Sequence, residues 1–184
     1  MPTKHFLTQS QLESLTSPLR LAIVQRLEVD KQATAGDLAR RMGRTVTSLY
    51  HHLKQLEDVG LLRVVAERKS SRRPEAVYAL VADYLSSNEA VKTQSGRTTY
   101  GRAAARVADA GARAFSAAVA EGGLRFEGRQ RNAMVRFYVM RANEEKIARL
   151  NALLDELDDT ATQSSERGEE IQITLLVSPT SPKR

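Results

Sequence analysis

Between residues 35 and 62 the apolar positions keep a helical period twice, with a polar break between the two runs. Leu38 and Met42 form an i, i+4 pair. Thr34 stands where its hydroxyl can cap that helix, and Asp37, three residues on, favours its positive end. Gly43 interrupts the run. Val46, Leu49, Leu53 and Leu56 then repeat at steps of three and four, which predicts a second helix over residues 45–59. Gly60 follows, a residue suited to the left-handed conformation that ends helices. Upstream, Thr8 and Gln11 have capping-box spacing, with Leu12 and Leu15 as a short apolar face. Ser17 and Pro18 open a further helix, whose Leu19, Ala22, Ile23 and Leu27 are expected to pack beneath the second of the two runs.

After Gly60 the pattern shortens to that of strands. Residues 61–65 and 76–80 are strand-like, and residues 68–74 between them are polar and turn-forming, which predicts a β-hairpin. Farther on, residues 84–94 read as helical, SGRTTYG as a break and residues 102–120 as an alanine-rich helix. The glycines of EGGLRFEGRQ mark a loop. Residues 134–140 are strand-compatible. Asn143 can cap a helix to about residue 159 bearing Ile147, Leu150, Leu153, Leu154 and Leu157, and residues 171–177 read as a last strand. The expected fold is mainly α with small β. A winged helix-turn-helix domain occupies residues 1–81, and a C-terminal α/β or helical region, built as a small αβαβ-like appendage, occupies residues 82–184.

On a helical wheel the second helix of the pair turns Arg44, Thr47, Ser48, His51, Lys54 and Gln55 away from its apolar stripe, with Thr45 at its start. Thr, Ser, His and Gln can hydrogen-bond base edges, Arg44 and Lys54 can neutralise phosphates, and a helix N-terminus favours anions. The hairpin tip, RKSSRRP, carries Arg68, Lys69, Arg72 and Arg73 beside that helix, within reach of phosphates or a minor groove.

These segments together, over about residues 15–80, resemble the ArsR-like winged-helix transcriptional regulators, in the subgroup without a metal site. The likeness rests on SPLRLAIVQRL with its Pro18 and Arg20, on SLYHHLKQLEDVGLL, and on the arginine-rich hairpin ending in Val77 and Tyr78. It implies that His52 belongs to the DNA-reading element and Leu53 to the core, and that the first helix and the region after the hairpin form a homodimer. Phe6, Leu7 and Leu12 are candidates for those contacts, or for ordinary core packing. Family members that sense metals use cysteines or a later His and carboxylate set. This chain has no cysteine, and its histidines are His5 and the adjacent pair His51 and His52, which diverge by about 100° on a helix. No metal site, no cofactor and no thiol chemistry are expected.

Charge adds a gradient. Through residue 81, 13 lysines and arginines face 8 carboxylates; over residues 82–141 the counts are 10 and 5; beyond, 5 and 9. The basic front suits a polyanion, and the acidic end is expected to lie away from it. Neither a membrane-length apolar run nor a secretory leader is visible, so a cytoplasmic protein is expected. Five tyrosines, four phenylalanines and no tryptophan argue against a base-stacking single-strand binder. Glycine phosphate loops, HExxH and nucleophile motifs are missing, so no catalytic residue and no enzyme activity are expected. The expected function is that of a sequence-specific double-stranded DNA-binding regulator, a homodimeric repressor on an inverted-repeat operator whose half-sites lie about 34 to 36 Å apart. The alternative is a winged helix that grips an acidic protein partner. The C-terminal region could dimerise, hold an unidentified small-molecule effector or bind another protein.

Overall fold

The computed structural model describes residues 3–69, 74–162 and 168–180. Two units divide the chain, Met1–Ala110 and Gly111–Arg184.

The first unit opens with β1 (Lys4–Phe6), α1 (Gln9–Ser14) and α2 (Pro18–Asp30). Thr8 forms the expected capping box with Gln11, and Pro18 starts α2. β2 (Gln32–Thr34) leads into α3 (Ala35–Arg41), where Thr34 and Asp37 form a second capping box. Gly43, at φ 60°, makes the left-handed turn into α4 (Val46–Asp58), and Gly60, at φ 72°, releases the chain from it. β3 (Leu62–Arg68) and β4 (Glu75–Leu80) follow as an antiparallel hairpin. A register shift between Val64 and Ala66 bulges the hairpin at Val65. β2 pairs with the other edge of β4, giving the order β2-β4-β3, while β5 (Tyr84–Ser86) pairs in parallel with β1.

The core confirms the helical pattern. Ile23, Leu27, Leu38, Leu49, Leu53, Leu56 and Leu61 are completely buried; on α2, Leu21 and Val24 are buried with them, whereas Leu19 and Ala22, expected in the core, are only partly so because they stand off the buried side of that helix. Leu7 and Leu12 are buried within the single chain, whereas Phe6 remains half exposed with the Lys4 ammonium 5.2 Å from its ring centroid. Gln11 explains why α1 packs as it does. Its buried carboxamide donates to the carbonyls of Val59 (2.9 Å) and Gly60 (3.3 Å), satisfying the end of α4, and its oxygen accepts from the Thr8 amide.

Two expectations beyond the hairpin are corrected. Residues 84–94 are not a helix: β5 and a short 3-10 turn (Ala90–Lys92) occupy them, because residues 84–86 are taken by the edge of β1. SGRTTYG is not a break, since α5 (Gln94–Glu121) runs through it. Gly96 is there for proximity: a Cβ would collide with the Ala90 carbonyl.

In the second unit, α6 (Glu144–Thr162) begins as expected, with Asn143 Oδ1 accepting from the Lys146 amide at 3.0 Å. The αβαβ expectation does not hold here. Among the described residues of this unit no strand ladder forms, and residues 134–140 and 171–177 belong to neither helix nor strand. A strand needs a neighbour for its amides, and neither segment finds one in the single chain. Taken whole, the protein is mainly helical with small sheets.

Candidate nucleic-acid interface

α3, the Gly43 turn and α4 form the helix-turn-helix, and β3 with β4 form the wing behind it. The Thr34 capping box sets the first helix. Arg68, leaving β3, donates to Asp37 Oδ2 at 2.7 Å and so ties the wing to the start of α3. Burial raises the Asp37 carboxyl, but hydrogen bonds from the Thr34 amide and hydroxyl and from Arg68 outweigh it and leave the group more acidic than usual.

α4 presents Arg44, Thr45, Thr47, Ser48, His51 and Lys54 in the open, as its wheel requires. Thr45 caps the helix on the Ser48 amide at 3.4 Å, and the Ser48 hydroxyl donates back to the Thr45 carbonyl at 2.7 Å. Both side chains are therefore partly committed to the helix end. Lys54 holds Asp58 at 2.6 Å, a hydrogen bond that raises its ammonium pKa and keeps it charged. Lys69 is exposed next to Arg68, while Arg72 and Arg73 lie outside the described residues.

Two predicted readers sit elsewhere than the open face. Gln55 is half-buried, its Oε1 accepting from Arg20 Nη1 at 2.6 Å, while Arg20 Nε donates to the Ser14 carbonyl at 2.7 Å. Arg20 thus braces α1 against α4 across α2. His52 is half-buried as well, and its Nδ1 is buried without a hydrogen-bond partner. Burial lowers its pKa, and the Arg20 and His51 charges push the same way. An imidazole that resists protonation in the native state leaves the unfolded chain to take the proton alone. Its stabilising share is complete above pH 6.5 and is lost as pH falls toward the folded value. His52→Gln is expected to flatten the decline in melting temperature between about pH 7 and pH 5.5. An unaltered decline in scanning calorimetry would show that His52 does not set it.

Sequence reasoning missed Tyr50. It is 54% exposed on the open face of α4, between Thr47 and Lys54, and Tyr78 of β4 lies near enough for its phenol to feel Tyr50, Glu57 and Lys54. An aromatic ring inside a helix reads as core; only its offset from the Leu49, Leu53 and Leu56 stripe could have placed it outside. The surface as a whole combines hydrogen-bonding groups, one amphipathic ring and cations around a helix N-terminus, which suits polyanion contact with base-edge reading. Among the described residues no group of three or more His, Asp or Glu side chains is placed to hold a metal ion, and no helix is long and apolar enough to cross a membrane.

This geometry defines a winged helix-turn-helix domain. Residues 15–65 match the family profile of a helix-turn-helix domain, which covers α2 through most of β3. No curated protein matches the chain. Among solved structures it is similar to a transcriptional regulator homologue from Pyrococcus horikoshii OT3, at 21% identity over 53% of this chain and 83% of that one, with a TM-score of 0.34. It is also similar to a MarR family protein of Mycobacterium tuberculosis in complex with salicylic acid, at 18% identity over 80% of this chain and 84% of that one, with a TM-score of 0.30. At those scores neither likeness bears on how this chain is arranged.

Proposed function

We propose that the protein is a non-enzymatic transcriptional regulator that binds double-stranded DNA through residues 1–81, as a homodimeric repressor of the ArsR-like kind on an inverted-repeat operator. Residues 82–184 serve as the dimerisation or effector region in this reading. The observation that carries it is the open face of α4, where Arg44, Thr47, Ser48, Tyr50, His51 and Lys54 are exposed together on a helix whose opposite side is sealed in the core. Phosphate contacts from cations fix position, and the hydroxyl, imidazole and phenol groups between them supply base recognition.

The same cations could grip an acidic protein, and competition separates the two. Fluorescein-labelled duplex bound to the full chain is expected to be displaced by unlabelled duplex and not by an equal charge of polyglutamate. Displacement by both alike would mean that the face recognises charge only.

A further inference from the structure

The sequence of residues 134–140, Met-Val-Arg-Phe-Tyr-Val-Met, is nearly the same read in either direction. Its neighbours hold its start firmly. Asn132 Oδ1 accepts from the Arg125 amide at 2.7 Å, Asn132 Nδ2 donates to Glu169 Oε1 at 2.8 Å, and Ala133 is buried. From there the chain is exposed and enters no helix or ladder. Phe137 is 88% exposed, Val135 68% and Val139 66%, and the segment belongs to no ladder. An exposed, largely apolar segment of alternating pattern that enters no ladder of its own is a template for another strand.

We propose that this segment pairs with the same segment of a second copy of this chain, as an antiparallel ladder centred on Phe137. The idea supplies an interface for the homodimer proposed above and rests on that part of the reading, not on DNA binding. A two-fold interface must complement itself: whatever residue i meets at j, j must meet at i. Centred on Phe137, the pairs are Met134 with Met140, Val135 with Val139, Arg136 with Tyr138, and Phe137 with its own copy. Alternation puts Val135, Phe137 and Val139 of both copies on one wholly apolar face. On the other face each Arg136 guanidinium meets the Tyr138 ring of the second copy, an attractive pairing. Neighbouring registers lose this. Centring on Arg136 sets that cation against itself, and centring on Tyr138 sets Val135 against Arg141; like charges directly opposite destabilise a ladder. The near-palindrome thus selects both the partner and the register.

The absence of native cysteine makes the register directly readable. Opposed residues of an antiparallel pair lie about 4.5 to 5.5 Å apart at Cα, within disulfide reach. Phe137→Cys is expected to give a covalent dimer under mild oxidation. Val135→Cys alone should not, because its two copies would lie about 14 Å apart along the strands. A mixture of Val135→Cys chains with Val139→Cys chains should crosslink. In sedimentation the native protein is expected to be a dimer and Phe137→Asp a monomer with an unchanged circular dichroism spectrum. A native monomer, a dimer that survives Phe137→Asp, or equal crosslinking of Phe137→Cys and Val135→Cys alone would each overturn the ladder. Duplex titration of Phe137→Asp keeps the two readings apart. A Phe137→Asp monomer that still binds DNA weakly leaves the regulator standing, and a native dimer that is lost in Phe137→Asp but binds no DNA leaves the ladder standing.

Discussion

Replacing Arg72 and Arg73 together with alanine is expected to weaken binding to every duplex, whatever its sequence, and to reduce the slope of log affinity against log salt by about 2. The cause is counterion release. Each arginine that neutralises a phosphate frees about one condensed cation, so two lost contacts remove about two from the slope and leave base preference unchanged. The wing carries these residues in RKSSRRP. Of its cations, Arg68 is engaged with Asp37, so its loss is expected to disturb α3 as well as any phosphate contact. Anisotropy titrations at several salt concentrations check this. An unchanged slope would remove the wing from the interface.

Leu53→Ala is expected to cost about 2 to 5 kcal/mol of stability, a large part of the roughly 5 to 15 kcal/mol that holds a domain folded. Leu53 is completely buried beneath the open face of α4, in the core with Leu49 and Leu56, so truncation leaves a cavity that the neighbouring helices cannot fully close. The melting temperature should fall by about 10 °C or more. DNA affinity measured well below the transition should change little, because Leu53 supports the open face of α4 without belonging to it. A shift of under about 3 °C would mean that the helix does not depend on this contact.

What could be read from the sequence was local. The Thr8 capping box and the Thr34 cap are built from residues three apart and were visible as spacing, whereas the reciprocal bond that Asp37 accepts from the Thr34 amide was not read from it. So were the α4 stripe and the two glycine turns around it. β2 was not legible, because three residues become a strand only through pairing with β4, more than 40 positions away. The parallel pairing of β1 with β5 hid for the same reason. Gly96 misled in the other direction: glycine read as a break serves here as the space into which the Ala90 carbonyl fits.

The open face of α4 was legible as a surface and not as an inventory. Arg44, Thr47, Ser48, His51 and Lys54 followed from the wheel, whereas Gln55 is taken by Arg20, a long-range contact that no local pattern reveals. Tyr50 was hidden by its residue type. In the second unit the alternation of residues 134–140 is that of a strand, but a strand is a relation between two segments, and one chain alone does not supply the second.

Whether the open face of α4 lies against duplex DNA is read out by an NMR titration of the isotope-labelled full chain with a duplex. The expected result is that amide and side-chain signals of Thr47, Tyr50, His51 and Lys54 shift together, with those of Lys69 beside them, and that Ile23 and Leu27 stay in place. Shifts confined to residues outside α4 and the wing, or none at low salt, would contradict it.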